Sequence, residues 1–303
     1  MRRPSAYARN PGHDSVGAML RRATDRLGKG GISRPQAEAR LLLAAATGLS
    51  RASIIGFPER TLAQDQSSEM ERLVARRVQR EPISKILGSR EFWSLNFRVT
   101  GDTLDPRPDS ETLIEAVLAR IDDRNLPLRI LDFGTGTGCL LLALLSELPN
   151  AQGVGVDISE AALAVARSNA EALGFSQRAH FTIGDWGRDI KSDQFDVIIS
   201  NPPYIETSAL KELEPEVAEH DPKLALDGGE DGLDAYRRLT PDAARLLKTG
   251  GLLALEIGQD QGEAVCRILR EAGLEEAGSA ADLAGIERCL MFRHGTKIGS
   301  SGT

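Results

Sequence analysis

The sequence predicts an α/β fold, with a doubly wound and mostly parallel sheet that follows a small N-terminal helical bundle and a β-hairpin. Three observations support this prediction. Apolar residues at helical spacing fill the N-terminal part, strand-like and helix-like segments alternate after residue 129, and a glycine-rich turn joins the first of those strands to a helix. The 303 residues, 41% of them hydrophobic, are enough for two domains with a substantial core.

The N-terminal helices are predicted from apolar residues at helical spacing, with turns that contain Gly, Ser and Pro between them. The residues that define this pattern are Ala18, Leu20, Leu27, Ala37, Leu41, Leu42, Leu43, Met70, Leu73, Val74 and Val78. Residues 1–82 contain 15 Lys and Arg against 8 Asp and Glu, a net charge of +7, whereas residues 83–303 contain 22 against 36, a net charge of −14. The arginines of these helices form either a solvated face or a docking surface for a partner.

Between the helices and the sheet, a β-hairpin is predicted from a short segment of alternating apolar residues. These residues are Phe92, Leu95, Phe97 and Val99. Pro106-Arg107-Pro108 then predicts a rigid turn, and Asp109 or Ser110 lies near the start of the next helix. Arg107 and Glu111 belong either to a capped linker or to a site that contacts cofactor or substrate.

Further along the chain, strands and helices alternate, which is typical of a doubly wound parallel sheet. Strands are predicted at residues 129–133, 153–157, 180–184, 195–200, 252–257 and 289–293. Helices are predicted at residues 139–148, 160–173 and 233–247, with one more between the last two strands. Cys139, Cys266 and Cys289 fall in apolar segments without Cys-x-x-Cys spacing, so neither a zinc site nor a disulfide framework is expected.

The first strand of this series leads into the motif Ile-Leu-Asp-Phe-Gly-Thr-Gly-Thr-Gly at residues 130–138. Its glycines permit positive φ angles and a close approach of the backbone to a nucleotide-like ligand. Their spacing is not the Gly-x-Gly-x-x-Gly of dinucleotide sites, and no Gly-Lys-Ser/Thr of a P-loop follows. Asp157 ends the second strand about twenty residues later, where a carboxylate can accept hydrogen bonds from two ribose hydroxyls. Together these features predict an adenosine-containing ligand without a pyrophosphate.

Asn201-Pro202-Pro203-Tyr204 follows the apolar run 195–200, which predicts a loop at the carboxyl end of a buried strand, where α/β proteins bind ligands. The two prolines fix their φ angles and supply carbonyl groups without amide donors. The side-chain oxygen of Asn201 and a neighbouring backbone carbonyl can accept both hydrogens of an NH2 group, while Tyr204 packs against a planar amide or base. The motif predicts that the substrate is a planar nitrogen nucleophile.

These motifs resemble those of the class I S-adenosylmethionine-dependent methyltransferases, and more narrowly those of the peptide chain release factor glutamine methyltransferases, the PrmC/HemK family. The similarity extends in order and spacing from about residue 15 to about residue 293. Besides the two motifs above, it includes the blocks Glu91 to Leu95, Thr103 to Glu111, Glu219 to Asp234 and Leu255 to Gly258. The family usually has an apolar residue before Pro-Arg-Pro, where this chain has Asp105, so the local packing of that turn is expected to differ.

The resemblance implies a Rossmann-like domain with a mostly parallel seven-stranded sheet that binds S-adenosyl-L-methionine and uses no metal. The implied cofactor-binding residues are Gly134, Thr135, Gly136, Thr137, Gly138, Asp157, Trp186 and Asn201. Trp186 is expected either to contact the adenine ring or only to cover the edge of the sheet. The implied substrate-binding residues are Asn201, Pro202, Pro203 and Tyr204, of which Asn201, Pro202 and Tyr204 are the expected catalytic residues.

By the same resemblance, the chain is expected to methylate the side-chain amide nitrogen (N5) of the glutamine in the Gly-Gly-Gln motif of bacterial class 1 release factors. A cytoplasmic monomer without direct nucleic-acid binding is expected. No membrane binding is expected either, since no apolar stretch is long enough to span a bilayer. The expected organisation is a disordered arm at 1–14, a helical substrate-docking domain at 15–86, a hairpin linker at 87–105, the methyltransferase domain at 106–294 and a flexible tail at 295–303.

Three other functions share parts of this pattern. A nucleic-acid adenine methyltransferase would use the same loop to hold a flipped base, but it would need a basic surface, whereas residues 83–303 are acidic. A glutamine methyltransferase acting on a ribosomal protein would share the loop and the fold and would differ in the helical domain and hairpin. A binding protein without activity is disfavoured by the glycine motif, Asp157 and Asn201.

Overall fold

The computed structural model describes residues 14–190 and 194–294, and the chain divides into two units between Leu87 and Gly88. The expected arm at 1–14, apart from Asp14, and the expected tail at 295–303 lie outside the described residues. Among the helices of the described ranges, none is both long and apolar enough to cross a membrane.

The N-terminal unit is helical, as the sequence predicts. Its helices are α1 (Val16–Lys29), α2 (Pro35–Thr47), α3 (Arg51–Gly56), α4 (Gln64–Val78) and α5 (Ile83–Leu87). Ser15 caps α1, because its side chain accepts a hydrogen bond from the Ala18 N–H over 3.3 Å. The buried residues that join the helices are Val16, Met19, Ala23, Leu27, Ile32, Ala39, Leu42, Leu43, Ile54, Leu62, Met70, Leu73, Val74 and Ile86.

Five of the apolar residues that predict these helices are not among these buried residues, namely Ala18, Leu20, Ala37, Leu41 and Val78. Leu41 is 50% exposed, and Leu20 is only partly buried at the margin of the core. Because consecutive residues of an α-helix are about 100° apart, the three leucines at 41–43 cannot all lie on one face. In α1 the buried stripe runs instead through Met19, Ala23 and Leu27.

The predicted hairpin is present in the C-terminal unit. It consists of two antiparallel strands, β1 (Ser89–Phe92) and β2 (Leu95–Arg98). Trp93 and Ser94 form the turn with φ angles of 52° and 58°, the left-handed geometry that matches the twist of the strands. Trp93 fixes the turn, since its backbone N–H donates to Glu111 Oε1 (2.8 Å) and its indole N–H donates to Glu147 Oε1 (3.0 Å).

The C-terminal unit contains a seven-stranded sheet within the described residues, which confirms the predicted fold class. The strands are β3 (Arg129–Phe133), β4 (Gln152–Asp157), β5 (Ala179–Ile183), β6 (Phe195–Ser200), β7 (Leu247–Glu256), β8 (Leu274–Ala281) and β9 (Glu287–His294). Their spatial order is β5-β4-β3-β6-β7-β9-β8. The pairs from β5 to β7 are parallel, and β9 is antiparallel to both of its neighbours.

Helices cover both faces of this sheet. They are α6 (Glu111–Leu118), α7 (Cys139–Glu147), α8 (Glu160–Ala172), α10 (Asp234–Leu246) and α11 (Gly262–Glu271), with a short 3-10 turn, Pro108–Ser110, before α6. The short helix α9 (Pro215–Ala218) lies between β6 and α10 and has no buried residue. Successive strand residues alternate between two buried clusters, so that Ile130 packs with α6 and α7 and Leu131 packs with α10 and α11. Because these strands are buried on both faces, their sequences are nearly continuous apolar runs.

Strand β8 is not predicted from the sequence. It lies at the edge of the sheet, where only one side of its backbone pairs, and Leu274 is its one fully buried residue. An edge strand that covers so little core does not need alternating apolar residues. Its sequence, Leu-Glu-Glu-Ala-Gly-Ser-Ala-Ala, accordingly lacks the pattern that predicts the other strands.

Candidate active site

The site forms at the carboxyl ends of neighbouring parallel strands, where the chain reverses the direction in which it builds the sheet. From β3 the chain adds β4 and β5 on one side and then returns to add β6 on the other. Phe133 of β3 is in register with both Val156 and Ser200. The glycine turn after Phe133, Asp157 and Asn201 therefore leave the sheet side by side, in the crevice where open α/β sheets bind ligands.

The glycine turn has a backbone geometry that glycine adopts far more readily than other residues. Gly134, Gly136 and Gly138 have φ angles of 67°, 55° and 79°. The N–H groups of Gly134 and Thr135 both donate to the Val156 carbonyl, over 2.8 and 3.0 Å, which fixes the turn on β4. Gly138 is the N-cap residue of α7, and the first N–H group of that helix, on Cys139, donates to the Thr137 hydroxyl over 3.3 Å.

Asp157 is oriented by the backbone around it. Its Oδ2 accepts from the Gly136 N–H and its Oδ1 from the Ser159 N–H, each over 2.9 Å. Each carboxylate oxygen keeps a second lone pair, so the group can also accept from the hydroxyls of a ligand. Ile158, the next residue, is 52% exposed and provides apolar surface beside the carboxylate.

Trp186 follows β5 and packs against the start of the glycine turn. Its ring meets Phe133 edge to face, with centroids 6.2 Å apart and an interplanar angle of 87°. A Cβ placed on Gly134 would lie 3.7 Å from the same ring, which is ordinary van der Waals contact. Because the ring is only partly buried, this position suits both expected roles, covering the sheet and contacting an adenine ring.

Asp132 is a buried carboxyl group next to the glycine turn. Its Oδ2 accepts from the Thr135 hydroxyl over 2.7 Å, and its Oδ1 has no hydrogen-bond partner among the described residues. Burial raises the pKa of Asp132 to about 7, with a further contribution from the nearby Asp157 that Thr135 opposes. The Leu141 N–H also approaches this carboxyl group, and Oδ1 keeps the capacity to accept a further hydrogen bond, such as one from the ammonium group of an amino acid.

Asn201 has its side chain oriented by one hydrogen bond. Its Nδ2 donates to Ser110 Oγ over 3.2 Å, and Ser110 is only 3% exposed. Because the amide nitrogen is engaged, Oδ1 is the atom that can accept from a ligand N–H. On the backbone, the hydroxyl of Ser200 donates to the Phe133 carbonyl over 2.8 Å and holds the start of the loop against β3. Pro202, which follows Asn201, is buried.

Tyr204 is enclosed by two segments of the chain, one around Gly232 and one from Gly258 to Gln261 after β7. The side-chain N–H of Gln261 donates to the Tyr204 carbonyl over 3.0 Å. Gly232, with a φ angle of 73°, packs so closely that a Cβ there would lie 2.5 Å from the same carbonyl oxygen. A Cβ on Gly258 would lie 3.0 Å from the Tyr204 ring. Two blocks that carry the family resemblance thus position this tyrosine.

Glu256 places a second buried carboxyl group beside the loop. The Tyr204 hydroxyl lies 3.4 Å from Glu256 Oε1, a long hydrogen bond, and Oε2 has no partner with hydrogen-bond geometry in the described ranges. Burial raises the pKa of Glu256 to about 7, opposed by the approach of the Ser110 hydroxyl and by Arg288. Burial also raises the pKa of Tyr204 to about 12, so Tyr204 is a neutral phenol at physiological pH.

Arg107 and Glu111 both have partners within the protein. Glu111 accepts from the hairpin, as described above, which agrees with the interpretation of this segment as a capped linker. Arg107 pairs with Asp221 over 2.7 Å, and the Asp221 side chain is 1% exposed whereas that of Arg107 is 39% exposed. Asp105, which precedes the Pro-Arg-Pro turn, is buried at 7% exposure.

Among the residues that the structure describes, no group of three or more His, Cys, Asp and Glu side chains is arranged to hold a metal ion. Cys139, Cys266 and Cys289 are free thiols. Burial raises the pKa of Cys139 and of Cys289 to about 12, so neither is a thiolate nucleophile at neutral pH.

The structure brings together the predicted residues of the glycine turn, Asp157, Trp186 and the loop that begins at Asn201. Sequence reasoning did not assign Ser110, Asp132 or Glu256 to this site. Each is a polar residue at the edge of an apolar strand or helix, inside a block that carries the family resemblance. That combination is the signal that could have identified them, since a buried polar residue is usually retained for a hydrogen bond.

Two family models match the chain. The model described as PrmC N-terminal domain matches residues 18–88, and that described as methyltransferase domain matches residues 126–280. Release factor glutamine methyltransferase from Rhodospirillum rubrum is 46% identical over 278 residues, covering 92% of this chain and 85% of that protein. The protein of the same description from Caulobacter vibrioides is 45% identical over 269 residues, covering 89% of this chain and 93% of that protein.

Among solved structures, a methyltransferase from Pyrococcus furiosus shares the fold with a TM-score of 0.50 and 18% identity, covering 76% of this chain and 100% of that one.

Proposed function

Because the chain belongs to the family of release factor glutamine methyltransferases, we propose that it transfers a methyl group from S-adenosyl-L-methionine to the side-chain amide nitrogen (N5) of a release factor glutamine. We place that glutamine in the Gly-Gly-Gln motif of bacterial class 1 peptide chain release factors. The observation that carries the proposal is the register of Phe133 with Ser200, which sets the glycine turn and the Asn201 loop side by side. Holding a methyl donor and its acceptor next to each other removes much of the entropic barrier to transfer.

The residues around the glycine turn fit S-adenosyl-L-methionine. Gly134 to Gly138 allow a close approach of the backbone, and Asp157 can accept from the ribose hydroxyls. Ile158 and Trp186 offer apolar surface for the adenine ring, and Asp132 Oδ1 lacks the donor that an amino-acid ammonium group supplies. The bound cofactor contributes a methyl group on a positively charged sulfur. The proposed reaction uses no metal, because the sulfonium is already an activated leaving group.

The loop residues act on an amide nitrogen, which is a weak nucleophile because its lone pair is delocalised into the carbonyl. Asn201 Oδ1 accepts one N–H of the substrate and the Pro202 carbonyl accepts the other, which aims the nitrogen and stabilises the positive charge that develops on it. Tyr204 packs against the amide plane as a neutral ring. The bond from the methyl group to nitrogen would form as the bond from the methyl group to sulfur breaks, and the sulfur would leave as a neutral thioether. The nitrogen then releases one proton to water, and no protein base is needed because a protonated amide nitrogen is a strong acid.

We assign recognition of the release factor to residues 15–86 and methyl transfer to residues 106–294, with residues 87–105 as the hairpin linker between them. The match of the PrmC N-terminal domain to residues 18–88 supports this division. We expect the enzyme to act as a cytoplasmic monomer without direct binding to nucleic acid or membranes.

The proposal is tested by incubating the protein and radiolabelled S-adenosyl-L-methionine with a purified bacterial release factor, a ribosomal protein or an adenine-containing DNA duplex. Label is expected in the release factor alone, and label in the DNA or the ribosomal protein alone would overturn the proposal. Asn201→Ala should abolish transfer while its affinity for S-adenosyl-L-methionine, measured by calorimetry, stays within about twofold. Asn150→Ala, which removes an exposed amide outside the site, should retain full activity.

A further inference from the structure

A line of polar groups runs from Asn201 into the protein interior. Asn201 Nδ2 donates to Ser110 Oγ over 3.2 Å, and the Ser110 hydroxyl in turn approaches the carboxyl group of Glu256. Glu256 Oε2 has no hydrogen-bond partner among the described residues, so a carboxylate oxygen is left to accept the Ser110 hydrogen. Ser110 and Glu256 are 3% and 2% exposed, so bulk water does not compete for these bonds.

The direction of this chain decides which atom of the Asn201 amide faces the substrate. A serine hydroxyl donates one hydrogen. When that hydrogen goes to an ionised Glu256, Ser110 accepts from Asn201 Nδ2, and Asn201 Oδ1 is left to face the substrate. When Glu256 is protonated and donates to Ser110, the serine can donate to Asn201 Oδ1 instead. The amide then turns its NH2 group toward the NH2 group of the substrate, and the two sets of donors oppose each other.

We propose that the carboxylate of Glu256 is a positioning residue that sets the direction of the chain through Ser110 and so holds Asn201 Oδ1 toward the substrate amide. The inference rests on the proposed function, because it concerns the same loop and the same substrate nitrogen. The Tyr204 hydroxyl also donates to Glu256 Oε1, so one carboxylate supports the two ends of the loop motif.

Ionisation of Glu256 falls in the physiological range, since burial raises its pKa to about 7. Among the groups that face it, Arg288 favours the carboxylate and Asp109 opposes it. The other titratable groups around it, from the loop after β6 and from α7, α10 and β9, are Tyr204, Cys139, Tyr236 and Cys289. Burial raises the pKa of each of these four, so they stay neutral while Glu256 titrates.

The first test needs no catalytic activity. In protein labelled with 15N, the side-chain NH2 resonances of Asn201, identified by their absence from Asn201→Asp, should shift with a midpoint near pH 7 (about one unit either way). Glu256→Gln and Ser110→Ala should remove that shift, and Ser110→Thr, which keeps the hydroxyl, should retain it. Asp132→Asn is the matched control and should retain the shift of the Asn201 resonances. It removes the other buried carboxyl group whose pKa is about 7, which lies outside the chain from Glu256 to Asn201. An Asn201 amide that does not titrate, or that still titrates in Glu256→Gln, would overturn the proposal.

The second test is kinetic. At about pH 8 and saturating S-adenosyl-L-methionine, Glu256→Gln should lower kcat about tenfold or more, and the decline of kcat at acid pH should disappear. Affinity for S-adenosyl-L-methionine should stay within about twofold. Combining Ser110→Ala with Glu256→Gln should cost no more than the larger single loss, because both act through one chain.

Tyr236→Phe is the kinetic control, since its hydroxyl bonds the backbone carbonyl of Glu256 over 2.9 Å and does not reach the carboxyl group. It should keep the pH profile of the wild type. Additive losses in the double variant, or an unchanged acid limb in Glu256→Gln, would contradict the proposed role. A protein that methylates no release factor but shows the Asn201 titration would refute the proposed function and leave the hydrogen-bond chain intact.

Discussion

At the residue scale, the polar side chains of the site are oriented by the protein itself. Asp157 is held by two backbone N–H groups and Asn201 by the Ser110 hydroxyl. Side chains fixed in this way lose little further freedom when they bind, so their hydrogen bonds contribute more of their energy to affinity and orientation. A single substitution should therefore affect binding or transfer separately, according to which motif it alters.

Asp157→Ala should weaken the binding of S-adenosyl-L-methionine by about 10- to 100-fold, because a charged acceptor is lost from the ribose site. The turn should also loosen, since the Gly136 N–H loses its partner. Calorimetry measures the change, with Glu160→Ala as a control whose carboxylate lies nearby but is 61% exposed. Unchanged affinity in Asp157→Ala would show that the ribose assignment is wrong.

At the element scale, a single side chain of α8 joins the hairpin to the glycine turn. Asn169 Oδ1 accepts from the Arg98 N–H over 2.8 Å, and Nδ2 donates to the carbonyls of Arg98 and Thr137 over 3.1 and 2.9 Å. Asn169 is 1% exposed, so water cannot replace these bonds. The hairpin is thus coupled to the same turn that is expected to bind the cofactor.

Asn169→Ala should lower the free energy of unfolding by about 2–4 kcal/mol, since one buried and two part-buried backbone groups lose their partner. Affinity for S-adenosyl-L-methionine should fall as well, because Thr137 lies in the turn. Urea unfolding measures the first effect and calorimetry the second. Asn150→Ala, which removes one exposed hydrogen bond to the Asn125 carbonyl, should change stability by less than about 1 kcal/mol. A similarly small change in the free energy of unfolding for Asn169→Ala would show that Asn169 does not couple the hairpin to the glycine turn.

Elements and motifs with a local signature could be predicted from the sequence. The glycine turn, Asp157 and the loop at Asn201 are read from neighbouring residues, and the parallel strands from their apolar runs. The edge strand β8 could not be predicted in this way, because Leu274 is its one buried residue. The residues that support the Asn201 loop could not be predicted from the sequence either. Ser110 lies 91 positions from Asn201, and Glu256 lies 52 positions from Tyr204. Only the packing of β7 and the 3-10 turn against the loop reveals those contacts.

At the scale of the whole molecule, charge is divided between the two units. Several arginines of the N-terminal unit pair with carboxylates of the same unit. These pairs are Arg22 with Asp14, Arg26 with Glu71, Arg72 with Glu69, Arg76 with Glu81 and Arg77 with Glu38. Most are exposed and contribute little to stability. Residues 1–82 nevertheless keep a net charge of +7, and the sequence leaves open whether it forms a solvated face or a docking surface.

Stability should fall as the pH rises through about 7. Burial raises the pKa of Asp132 and of Glu256 from their ordinary values of 3.8 and 4.5 to about 7, so the folded protein binds these protons more tightly than the unfolded chain. Their contribution to stability is therefore complete below about pH 4 and is lost as the pH rises through the folded pKa.

The double variant Asp132→Asn, Glu256→Gln isolates this effect. Between about pH 5 and pH 8, the wild type should lose a few kcal/mol of unfolding free energy relative to the variant, at about 1.4 kcal/mol for each pKa unit and carboxyl group. Urea unfolding at a series of pH values provides the comparison. Parallel pH profiles of the two proteins would show that these carboxyl groups do not titrate as described.

The most direct measurement is fragmentation mass spectrometry of a bacterial release factor after reaction with the protein and S-adenosyl-L-methionine. We predict one added methyl group, located on the side-chain nitrogen of the glutamine in the Gly-Gly-Gln motif, and none with Asn201→Ala. A methyl group on any other residue, or no methyl group from a protein that binds S-adenosyl-L-methionine, would contradict the proposed function.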